Sequence, residues 1–217
     1  MKLTLPKTIL AVLSLLLFVM VLVERFNSGQ PPRIALRLPP LHSDSPPFSK
    51  EVADYAPRLA NAYHLEPETA ETFAAYILES AAYSGVPKEL LAALIQIESH
   101  FRDDAVSSVG AVGPAQIMPN IWGESCGDVH ETRNNVLCAG VVLSHYKQRF
   151  CEGDASPYAC ALSLYNVGPG NLRRAPDQGT AAATRYLNKM SRSLGRFDYS
   201  TLIEPLGSGT PMLAEHF

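Results

Sequence analysis

The stretch "PKELLAALIQIESHF", residues 87–101, does most to limit how this chain can fold. Leu91, Leu94 and Ile95 recur at helical spacing on one face, so a helix here has an apolar stripe that other elements must cover. Lys88, Glu89, Gln96 and His100 lie around the other side. Glu98 breaks the pattern, because it falls on the apolar stripe one period beyond Leu91 and Leu94. Burial among apolar groups disfavours a charged carboxylate and raises its pKa, so such a group can hold a proton near neutral pH and donate it. Glu98 is therefore a candidate general acid. The ordinary alternative is a helix-end glutamate that bends to solvent or pairs with Arg102.

The neighbouring segments are also helical in period. They are "EVADYAPRLANAYHL", then "PETAETFAAYILESAAYSG" closed by Gly85, and later "ETRNNVLCAGVVLSHYKQRF", "SPYACALSLYNVG" and "TAAATRYLNKMSRS". Pro87 suits the first turn of the Glu98 helix, and Gly- and Pro-bearing loops separate the rest. Strands are scarce, so the expected class is mainly α. With 217 residues and 47% hydrophobic content there is material for one packed domain, read as residues 51–197, and not for two. The tail, 198–217, carries no informative pattern. A formal net charge of −3 gives no bulk pull toward nucleic acid, which is set aside as a partner.

Residues 1–26, "MKLTLPKTILAVLSLLLFVMVLVERF", form an export signal, with Ile9 to Val23 apolar apart from Ser14 and with Lys2 and Lys7 ahead of it. The apolar core is short for a hydrocarbon layer of roughly 30 Å, and snorkelling Lys7 and Arg25 would extend it. No A-x-A-like cleavage pattern follows. The expectation is an uncleaved transmembrane anchor in a bacterial inner membrane, with the remainder in the periplasm; secretion after cleavage is the alternative. Residues 27–50 hold three Pro-Pro pairs and read as an extended linker. At ~3.1 Å per residue it could reach on the order of 75 Å, although a spacer without a length requirement fits equally.

All four cysteines, Cys126, Cys138, Cys151 and Cys160, follow this segment. In an exported domain they are expected to be oxidised. Of the three possible pairings, Cys126 with Cys138 and Cys151 with Cys160 is favoured because each would staple a local helix-loop junction; sequence leaves connectivity open, and buried thiols are the plainer alternative.

Two further segments bear on Glu98. "AVSSVGAVGPAQIMP" sets glycines in a polar turn before an abrupt apolar run, and "LYNVGPG" ends a helical pattern in a Gly-Pro-Gly loop. Glycine at such places permits close backbone approach. Taken with "IESHF", these segments resemble the soluble lytic transglycosylase family, lysozyme-like enzymes that cut peptidoglycan glycan strands. "IESHF" is similar to the family's E-S-x-F, the second segment to A-V-S-x-x-G-A-x-G-x-x-Q-x-M-P, the third to A-Y-N-A-G-P-G, and "NNVLCAG" to N-I-x-x-G. The resemblance spans about Pro87 to Leu172. Pro114-Ala115 stands where the family commonly has Leu-Met, and Leu164 where it has Ala.

The resemblance implies a lysozyme-like helical domain with a cleft. Glu98 would be the acid, Ser107 would orient it or the bound sugar, and Gln116 and Met118 would line the cleft. Tyr165 and Asn166 would close the opposite side, with the Tyr165 hydroxyl on the catalytic carboxyl or the cleaved sugar. It further implies that one carboxyl does both proton transfers on the β-1,4 bond between N-acetylmuramoyl and N-acetylglucosaminyl units, leaving a 1,6-anhydro end without cofactor or metal. Two rivals use the same scaffold. One is a lysozyme-type muramidase in which Asp103 or Asp104 activates water; the other is a non-catalytic peptidoglycan-binding assembly protein. A tether also suggests local wall opening for an envelope-spanning secretion or conjugation machine.

Overall fold

A computed structural model describes residues 46–197. They form α1 (Pro46–Tyr63), α2 (Pro67–Ser84), α3 (Lys88–Ser99), α4 (Pro119–Cys126), α5 (Thr132–Phe150), α6 (Pro157–Val167), α7 (Pro169–Arg174) and α8 (Pro176–Leu194), followed by a 3₁₀ turn at Gly195–Phe197. The only extended pairing among the described residues is two isolated bridges, Val106 with Val112 and Val112 with Ile117. The domain is mainly α, as the periodicity predicts. α1 begins at Pro46, inside the stretch that reads as linker. The expected anchor and the C-terminal tail lie outside the described residues; among those described, no helix is long and apolar enough to cross a membrane.

α2 packs between α1 and α5, α6 packs between α5 and α8, and α3 is enclosed by α2, α5 and α8. This enclosure explains where the amphipathic reading of α3 fails. Leu90, Ala92 and Ala93 are as fully buried as Leu91, Leu94 and Ile95, and Glu89, expected on the polar side, is 5% exposed. The polar side survives only at the two ends of α3, at half-exposed Lys88 and in the last turn, with His100 exposed just beyond it. Pro87 also sits one position earlier than expected. It is the N-cap of α3, and its carbonyl accepts from the amides of Leu90 and Leu91 at 3.0 and 3.2 Å.

In sequence α4 and α7 look like loops, since 8 and 6 residues are too few to show a helical period. α4 is held by contacts that sequence separation conceals. Its Trp122 meets His145 and Tyr146 of α5 edge-on, each with ring centroids 5.9 Å apart. Disulfides join Cys126 to Cys138 and Cys151 to Cys160, the favoured pairing. The first ties α4 to α5, and the second ties the end of α5 to α6.

The packing of α2 on α5 depends on a glycine. A Cβ at Gly140 would lie 2.4 Å from the Ser80 hydroxyl oxygen and 2.7 Å from that of Ser84. The Ser80 hydroxyl is committed, donating to the Val136 carbonyl at 2.9 Å. Gly140→Ala is therefore expected to lower stability by about 1–3 kcal/mol through overpacking, despite the better helix propensity of alanine. A urea midpoint at or above wild type would show that the helices part at no cost.

Candidate active site

Glu98 is held by the way α3 ends. His100 and Phe101 both take left-handed backbone conformations, φ 58° and 61°. For non-glycine residues each costs on the order of 1–2 kcal/mol. The turn drives the Phe101 ring back into the core, where it meets Tyr63 at 5.4 Å and Phe73 at 5.1 Å. Burying that ring returns about 1.5–3 kcal/mol. Ser99, 1% exposed, accepts the Arg102 amide on its hydroxyl at 3.1 Å and so closes the turn. The "ESHF" pattern thus has a local reason: serine and phenylalanine lock the helix end that carries the glutamate.

The Glu98 side chain is half-buried and accepts a hydrogen bond from the Tyr186 hydroxyl at 2.6 Å. Its pKa is raised, chiefly by burial, and held back in part by the Tyr186 hydrogen bond and by the charge of Lys189. The C-terminal end of α3, with its partial negative charge, acts in the same direction as burial. Tyr186 and Tyr165 both have pKa values well above the ordinary tyrosine value, first through burial and then through the Glu98 charge. Both hydroxyls therefore remain protonated donors.

The sequence points to Tyr165 as a partner for the carboxyl or for the cleaved sugar; in the structure its hydroxyl donates to the Ala115 carbonyl at 2.7 Å and not to Glu98. It fastens the end of α6 to the 105–117 turn. Tyr186 on α8 makes the bond to Glu98, and sequence reasoning misses it. A signal is present: Ala183, Tyr186, Leu187 and Met190 share the buried face of α8, and a buried tyrosine hydroxyl needs a partner.

The 105–117 turn carries two of the expected residues. The Ser107 hydroxyl accepts the Ala111 amide at 2.9 Å, and the Ser107 amide donates to the Ala111 carbonyl at 2.9 Å. Gln116 is left-handed, φ 53°, and its side-chain amide donates to the carbonyls of Ala105 (3.2 Å) and Gly113 (3.0 Å). Met118 is the half-buried N-cap of α4, and Asn166 is exposed in the last turn of α6. Among the described residues no hydrogen bond joins Ser107, Gln116, Met118 or Asn166 to Glu98; the first two shape the turn. Asp103 and Asp104 are both exposed.

Beneath this turn lies a second residue that sequence reasoning overlooks. Asn135, 0% exposed, accepts the Ala115 amide at 2.8 Å and donates to the carbonyls of Val112 (2.9 Å) and Val129 (2.8 Å). It gives "NNVLCAG" a physical role. Gly113 lies so close that a Cβ there would stand 2.5 Å from the Asn135 amide nitrogen, and its φ of 72° disfavours other residues as well. Elsewhere, Cys151, Asp154 and Cys160 bring three potential metal-ligand atoms within 4.8 Å, but both sulfurs are taken up in a disulfide and offer no thiolate.

The mainly helical fold agrees with the comparisons. The family described as Transglycosylase SLT domain matches residues 75–188, and the chain belongs to that family. Among curated proteins it is similar to membrane-bound lytic murein transglycosylase C of Haemophilus ducreyi, 24% identical over 122 residues, which are 49% of this chain and 33% of the relative. It is likewise similar to the protein of that description from Haemophilus influenzae, 25% identical over 149 residues, 62% of this chain and 41% of the relative. The chain thus spans well under half the length of these curated relatives.

Proposed function

We propose that this protein is a peptidoglycan lytic transglycosylase in which Glu98 is the one proton donor and acceptor. The observation that carries the reading is the half-buried carboxyl held by the Tyr186 hydroxyl at 2.6 Å, in a chain of the transglycosylase family. Glu98 gives its proton to the glycosidic oxygen as the muramoyl C1–O bond breaks. The resulting carboxylate takes the proton of the C6 hydroxyl of the same muramoyl unit, whose oxygen closes on C1. Glu98 is then protonated again, and the products are a 1,6-anhydro end and a free hydroxyl on the departing sugar. The nucleophile belongs to the reacting sugar, so little ordering is left for the enzyme to supply. Ser107, Gln116, Met118, Tyr165 and Asn166 are proposed to contact the glycan around this carboxyl.

A muramidase would need a second carboxylate set across the bond, about 5–9.5 Å from the first. The candidates nearest in sequence, Asp103 and Asp104, are solvated, and the charge that acts on Glu98 is that of a lysine. Turnover of sacculi in ¹⁸O-water separates the readings. Anhydro ends without label are expected; labelled reducing ends would make the protein a muramidase, and binding without release of fragments would make it a non-catalytic assembly protein. A role for a tethered enzyme in opening the wall for an envelope-spanning machine is a further part of this proposal. It predicts that crosslinked cells yield components of such a machine with this protein, and their absence would leave general wall turnover.

Tyr186→Phe tests the hydrogen bond. The hydroxyl stabilises the ionised carboxyl, so its loss should raise the Glu98 pKa further and move the alkaline limb of the pH–rate profile upward. Turnover should fall about 10-fold as the carboxyl loses its orientation. A limb that stays in place or moves down would mean that the bond does not govern the titration.

A further inference from the structure

Tyr146 of α5 is a buried side chain whose polar atom the described fold does not use. It is 8% exposed, and its ring is packed against Trp122 of α4 and against His145 and Phe150 of α5, with ring centroids at 5.9, 5.8 and 6.0 Å. Among the described residues its hydroxyl makes no hydrogen bond, yet it is not a fully enclosed atom, so its tip reaches the surface. Burial alone pushes its pKa up to about 12, and it stays a protonated donor. The hydroxyls of Tyr63, Tyr165 and Tyr186, by contrast, are each taken by a protein partner. A buried tyrosine normally finds a partner for its hydroxyl, so one that the protein does not supply points to a ligand.

The position of this hydroxyl narrows the ligand. Trp122, against which the ring packs, lies one turn beyond Met118, and its amide donates to the Met118 carbonyl at 2.9 Å. On the other side the Tyr146 hydroxyl is near enough to Tyr165 for its ionisation to act on that group, as Glu98 also does. Tyr146 thus borders both segments proposed to contact glycan, the one with Gln116 and Met118 and the one with Tyr165 and Asn166. Glu98 has no such effect on Tyr146 itself, which places the hydroxyl beside the carboxyl's site and out of its immediate reach. The packed ring also fixes the donor in advance, which lowers the entropy lost on binding.

On the reading that Glu98 acts on peptidoglycan, we propose that the Tyr146 hydroxyl hydrogen-bonds a sugar oxygen of the bound strand, in the unit next to the one at Glu98, and so positions the strand along the cleft. A residue that only filled this space would serve as well as phenylalanine, which has no hydroxyl to desolvate.

Tyr146→Phe tests this by removing the hydroxyl and keeping the ring. Its unfolding temperature should equal or exceed that of wild type, because no protein hydrogen bond is lost. KM for purified glycan strands should rise about 3–10-fold, the scale of one hydrogen bond, with kcat nearly unchanged, the pattern of a contact made equally in the ground and transition states. In a Glu98→Gln background, where strands are bound without being cut, adding Tyr146→Phe should weaken strand binding by the same factor. Unchanged KM and unchanged binding would mean that the hydroxyl meets only water, and the inference would fall. A clear drop in unfolding temperature would sink it as well, by showing that the hydroxyl serves the fold. Wild type that neither binds nor cuts strands would overturn the transglycosylase reading itself, whereas normal turnover that is indifferent to Tyr146→Phe would count against this inference alone.

Discussion

Glu98→Gln is expected to reduce release of glycan fragments about 10²–10⁴-fold, the scale of general acid–base catalysis, while the protein stays folded. The amide keeps the shape of the side chain, and its oxygen can still accept the Tyr186 hydroxyl bond. What it lacks is the proton. The stability consequence follows from the direction of the pKa shift. Glu98 binds its proton more tightly in the folded state than in the unfolded chain, so ionisation opposes folding as pH rises through and beyond the ordinary glutamate value. A glutamine escapes that cost. The variant should therefore unfold at an equal or higher temperature than wild type at neutral pH, and the difference should vanish below the ordinary glutamate pKa. A variant that is inactive because it is less stable at neutral pH would remove the basis for the catalytic assignment.

Asn135→Ala should be the most damaging single change to the site's framework. It strands the Ala115 amide and the Val129 carbonyl, and it takes one of two bonds from the Val112 carbonyl, which still accepts the Ile117 amide at 3.0 Å. Each buried group left unsatisfied costs about 1–3 kcal/mol, so the two groups imply a loss of roughly 2–6 kcal/mol against a typical total of 5–15 kcal/mol. The turn that carries Ser107 and Gln116 should loosen first, because Asn135 joins it to the start of α5. Urea unfolding should show the drop, and amide exchange at Ala115 should quicken well before global unfolding. Unchanged exchange at Ala115 would mean that the turn is held from elsewhere.

How far the site can be read in advance depends on whether its interactions are local. Glu98 stands out because helical period alone sets it beside Leu91 and Leu94, and the lock of Ser99 and Phe101 lies within three residues of it. Gly85 as a helix stop and the two short disulfides are legible for the same reason. Tyr186 is not, since its partner is 88 residues away and no local pattern separates it from an ordinary aromatic on a buried face. Asn135 is hidden likewise: three of its bonds reach 6, 20 and 23 residues along the chain. Tyr165 is visible in the sequence, but of the two aims expected for its hydroxyl the one at the Glu98 carboxyl is not the bond it makes, because sequence shows that a buried hydroxyl needs an acceptor and not which one. The polar side expected for α3 fails where α2, α5 and α8 close around it, a consequence of packing that no single helix encodes.

The proposed catalytic assignment rests on one carboxyl of α3 binding its proton more tightly than an exposed glutamate does, because burial raises its pKa. Titration of ¹³C-labelled glutamate side chains by NMR, with the Glu98 resonance assigned by its absence in Glu98→Gln, measures this directly. The predicted result is a midpoint clearly above that of the exposed glutamates of the same protein, and higher again in Tyr186→Phe. A Glu98 that titrates together with the exposed glutamates would contradict it.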